Sequence, residues 1–119
     1  MSVEAPISVA APNTFRRGPA EKLRQAIAAM ANGQAQILPH TERAWASITF
    51  SGARHTLTLV FDGLAMAKSG EEFIAALPDQ EFVIPGHLVA DAAIISVDHT
   101  MIPDIRLVVT VELLVLIDA

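Results

Sequence analysis

The chain has 119 residues, 52% of them hydrophobic and 18% charged, which suits one core and excludes an intrinsically disordered chain. It has no cysteine, which excludes disulfides, thiolate metal ligands and cysteine nucleophiles. A net charge of −5 and an aromatic share of 5% argue against a nucleic-acid partner, because such binding rests on clustered Lys and Arg and on stacking rings. The charge is uneven: residues 1–60 carry six Lys/Arg against three Asp/Glu, and residues 61–119 two against ten. Such halves can attract each other within a chain or between copies.

Residues 1–17 mix Ala, Pro, Ser and Val without periodicity and read as a flexible or extended arm, which leaves 18–119 as a single domain. Glu4 stands where a secretory leader carries positive charge, and Pro6 and Pro12 break the apolar letters, so the expected location is cytoplasmic. Gly18-Pro19 opens a helix over 19–31 with Leu23, Ile27 and Met30 as its apolar stripe and Asn32-Gly33 as its stop. A weak strand is expected at 34–39, with Pro39 fitting only an edge. From Trp45 the period changes to two: Ala46, Ile48 and Phe50 alternate with Ser47, Thr49 and Ser51, and His55, Leu57, Leu59 and Phe61 continue the pattern. This predicts a hairpin turning at Gly52-Ala53-Arg54.

Ser69 and Glu72 have the spacing of a capping box, which predicts a second helix near 70–77 ended by Pro78, with Leu64 to Lys68 able to extend its start. Phe82 to Val97 reads as a long strand kinked at Pro85-Gly86. The last strand, 105–117, has an apolar residue at every odd position, as one buried face requires. Its 13 residues contain Arg106 and Glu112 and fall short of the ~20 needed to cross a bilayer, so no membrane partner is expected. The expected fold class is α+β: a single antiparallel sheet of four or five strands with two helices packed on one face, in the order α-β-β-α-β-β.

Four histidines, His40, His55, His87 and His99, show no HExxH or HxH spacing. His40 and Glu42 share a face when extended, but two ligands make an incomplete site, so no metal and no cofactor is assigned. His87 and Asp91, four apart on a strand, point to one face about 13 Å from each other, and Asp91 reads as a solvent-facing carboxylate. No GxGxxG, P-loop or GxSxG motif occurs. The basic residues Arg16, Arg17, Lys22 and Arg24 are too few to outweigh the net charge. No catalytic residue is assigned, and the reading leans away from an enzyme.

The even positions of the last strand carry a second apolar set. Val108, Leu114 and Leu116, rimmed by Arg106 and Glu112, predict a homodimer interface in which Arg106 reaches an acidic residue of the other chain. The expected function is therefore that of a small, non-enzymatic, homo-oligomeric interaction protein. Two alternatives stand beside it: an acidic dimeric chaperone or adaptor taking an extended segment of a protein partner on a sheet edge, and a small-molecule enzyme using His87 and Asp91 between helix and sheet.

Overall fold

A computed structural model describes residues 18–118; the expected arm at 1–17 lies outside these. The elements are α1 (Pro19–Met30), β1 (Gln36–Ile37), β2 (Thr41–Ala46), β3 (Ser51–Asp62), α2 (Leu64–Ala76), β4 (His87–Thr100) and β5 (Arg106–Ile117), with a 3₁₀ turn at Leu77–Asp79 after α2. They form one open antiparallel sheet. β1 and β2 pair in succession with one edge of β3, β5 pairs with its other edge, and β4 lies outside β5. The fold is the α+β arrangement expected, in the expected element order.

α1 forms where the sequence places it. Pro19 occupies its first turn, and the chain leaves through Asn32 (φ 56°) and Gly33 (φ 66°), both left-handed, as a helix stop requires. Its buried stripe, Leu23, Ile27 and Ala31, meets the core from one side of the sheet. The core's centre is the β3–β5 pairing: Leu57 opposes Val111, Leu59 Val109 and Phe61 Leu107, all of them buried. Opposed residues of an antiparallel pair share a face, so the odd positions of both strands look toward the helices. This alternation is what the sequence pattern demands.

α2 begins at Leu64, not at Ser69. Gly63, at φ 93°, turns the chain directly from β3 into the helix, and the Ser69 and Glu72 side chains make no cap within it. Its close seat on the sheet depends on Gly70, where a Cβ would stand 2.5 Å from Leu107 Cδ2 and 2.8 Å from Phe61 Cδ2. Both neighbours are fully enclosed and have nowhere to move. In Gly70→Ala, the helix-propensity gain of about 1 kcal/mol is set against overpacking of about 1–3 kcal/mol. Overpacking outweighs propensity, and urea denaturation should show a net loss of up to about 2 kcal/mol; a stabilised variant would contradict this seat.

Two further expectations are corrected. The hairpin turns at residues 47–50, because the Ser47 hydroxyl accepts the amides of Thr49 (3.3 Å) and Phe50 (3.1 Å), a local turn that competes with the ladder. Ile48 and Phe50, expected on the buried face, are consequently exposed. The segment 82–84 is not a strand. Gly86 (φ 76°) makes a turn closed by a single Ile84–His87 bridge, and β4 starts only at His87.

Candidate functional site

Two regions of the molecule carry unusual chemistry. The first is the sheet face turned away from the helices, built from the even positions of β3 and β5. Here the predicted interface residues stand in register: Leu114 opposite Arg54, Glu112 opposite Thr56, Val108 opposite Val60 and Arg106 opposite Asp62. The Arg106 guanidinium donates to Asp62 Oδ1 of its own chain at 2.8 Å, and Arg54 lies 3.6 Å from Glu112. Leu114 and Leu116 are only 8% and 6% exposed, so little leucine area is left for a partner on this face. Leu116, Gly52 and Trp45 lie side by side across three strands, and Gly52 leaves no side chain between the other two.

The face ends at β4, which is 14 residues long. Among the described residues, the Ile84–His87 bridge is all that pairs with its outer edge, and residues 78–83 lie beside its first half, 87–92. Leu88, opposite Leu116 on this face, Val97, opposite Val109 on the helix side, and Ile95, within the second register shift, are about half exposed along the edge. Register shifts between Val89 and Asp91 and between Ile94 and Ser96 interrupt the strand. The first of them overturns a sequence expectation: His87 pairs with Ile117 and Asp91 with Leu114, so the bulge sends the two side chains to opposite faces. They form no common site.

The second region lies on the helix side, at the end of the sheet below the start of α1. β2 pairs with β3 so that Glu42 opposes His55, and His40 precedes β2 directly. His40 Nε2 and His55 Nδ1 are 3.1 Å apart, and Arg24 from α1 reaches His40 Nδ1 at 3.3 Å. A guanidinium can only donate. His40 Nδ1 is therefore the acceptor, and its Nε2 proton points at His55 Nδ1. A Glu42 carboxylate oxygen and the two imidazoles offer ligand atoms that all lie within 4.8 Å of one another.

His55 is 1% exposed, and its Nε2 has no hydrogen-bond partner among the described residues. A cleft of about 190 Å³ opens beside it, lined by Pro19, Glu42, His55 and His87 among others. His87 Nδ1 donates to the Pro85 carbonyl at 2.9 Å. Burial pushes the His55 pKa below its ordinary value; Glu42 opposes the shift and His87 adds to it. Burial, then His55 and Arg24, lower that of His40 against the pull of Glu42. Both rings are thereby held neutral at neutral pH, each with a lone pair. Sequence spacing brings out His40 and Glu42 but treats His55 as one more member of the Leu57, Leu59, Phe61 row. Its signal is that a histidine occupies a position of that buried row at all.

No family model and no curated protein matches this sequence. Among solved structures, a chain from the virion of a native gene transfer agent particle superposes with a TM-score of 0.52 at 16% identity, over 82% of this chain and 90% of that one. This likeness is one of fold.

Proposed function

We propose that this chain is a non-enzymatic subunit that assembles with copies of itself through the outer edge of β4. The observation that carries the reading is the edge itself: a long strand with unpaired backbone groups and three half-exposed apolar side chains, the surface that natural proteins cover or pair. The two bulges prevent uninterrupted strand addition, so Leu88, Ile95 and Val97 supply the burial while short runs of backbone pair. The predicted face residues Val108, Leu114 and Leu116 then lie behind the contact as its support. The fold likeness to a chain of a virion particle supports a place in an assembly. A cytoplasmic setting and a dimer are the simplest form of this reading.

Light scattering coupled to gel filtration tests it. The wild type is expected at a multiple of 12.7 kDa, and Ile95→Lys combined with Val97→Lys at the monomer mass with unchanged circular dichroism, since substitutions at exposed positions usually cost under about 0.5 kcal/mol each. A wild type that is already monomeric at tens of micromolar, on the order of the weakest stable association, would refute the proposal.

A further inference from the structure

We infer that His40, His55 and Glu42 form a binding site for a divalent transition metal of the zinc class, with the fourth position left to water from the adjoining cleft. Two imidazole nitrogens bound to one ion at 2.0–2.1 Å lie about 3.3 Å apart in a tetrahedral site and about 2.9 Å apart at a right angle. The observed 3.1 Å between His40 Nε2 and His55 Nδ1 falls between these, and the Glu42 carboxylate is within 4.8 Å of both, one side-chain adjustment from closing the triad.

Chemistry selects the ion. Two imidazoles and one carboxylate suit zinc, nickel and copper, whereas calcium and magnesium require sets of oxygens. His55, enclosed to 99%, presents its Nδ1 lone pair to His40 Nε2 at 3.1 Å, which is the nitrogen a bound ion would take. The protons balance without loss. On binding, the His40 proton moves from Nε2 to Nδ1, the lone pair of Nε2 goes to the ion, and Arg24 releases Nδ1 for Glu21, already 3.8 Å away. His55 binds through Nδ1 and keeps its proton on Nε2. The ion would join the segment before β2, β2 itself and β3, and so stiffen one end of the sheet.

The full chain, stripped with a chelator and titrated with Zn²⁺ against a chromophoric competitor, is expected to bind one ion. Co²⁺ should give the visible absorption of a four-coordinate site, and Zn²⁺ should raise the melting temperature, as any ligand of the folded state does. His40→Ala and Glu42→Gln, both at accessible positions, should each lower affinity by at least about tenfold, while His99→Ala on the far part of β4 should leave it unchanged. His55→Gln adds the third ligand where circular dichroism shows it folded; the decision rests on the two accessible variants. Absence of saturable Zn²⁺, Ni²⁺ or Co²⁺ binding up to about 100 µM, or wild-type affinity in both accessible variants, overturns the site.

Discussion

Gly52→Ala is expected to destabilise the protein by about 2–4 kcal/mol, a drop in melting temperature of roughly 10 °C or more. The missing Cβ of Gly52 would collide with the Val115 carbonyl oxygen and come within 2.8 Å of the Leu116 Cα. These are backbone atoms of the neighbouring central strand, and no rotamer change moves them aside. Room for one methyl group can be made only by parting β3 from β5, at the loss of ladder hydrogen bonds worth about 1 kcal/mol each and of packing over Val115, which is 2% exposed. Gly18→Ala is the natural control. A Cβ there meets nothing within 4 Å, so its cost should stay under about 1 kcal/mol. Thermal melts of the two variants side by side check the contrast, and equal melting temperatures would show that the strands are not so closely apposed.

The double substitution Leu114→Asp with Leu116→Asp is expected to unfold the chain, not to separate copies of it. At 8% and 6% exposure, each leucine loses about 2–5 kcal/mol of burial and packing, and each new carboxylate must be desolvated beside Glu112 on the same face. The leucine losses alone come to about 4–10 kcal/mol, and with two carboxylates to desolvate they match the roughly 5–15 kcal/mol that a domain of this size holds in reserve. Circular dichroism at 25 °C should therefore show a largely unfolded polypeptide. A folded monomer would reinstate the even positions of β5 as the subunit contact and remove β4 from that role.

The regular elements were legible because their signals are local. Pro19, the Leu23–Ile27 stripe and Asn32-Gly33 mark α1 at both ends, and the unbroken odd positions of β5 mark its buried face. The hairpin was misplaced because alternation continues through its turn. Ala46, Ile48 and Phe50 keep the period of a strand, yet the Ser47 hydroxyl closes a turn over Thr49 and Phe50, and Gly52 is needed for close strand contact instead of for turning. That displacement is also what conceals the metal-ligand cluster. A turn at 52–54 puts Ser51 opposite His55, whereas the actual turn puts Glu42 there. The carboxylate, the second imidazole and the cleft between them come into view only with the correct register. In the same way, no local signal announces the β4 bulge that parts His87 from Asp91, because it arises from pairing with β5.

The interruption between β1 and β2 has a consequence for how such a molecule can change over generations. Both strands hold the same edge of β3, and Leu38 still donates to the Thr58 carbonyl at 2.9 Å. The stretch 38–40 is thus a short splice between two anchored pieces, with Pro39 unable to donate within it. Its length fixes where the His40 ring sits, while neither anchored piece depends on that length. Lengthening or shortening the splice by a residue would relocate one imidazole and leave the ladder and the hydrophobic interior in place. Ion binding and foldability are therefore separable traits in this architecture, one open to gain or loss by a single insertion and the other insulated from it.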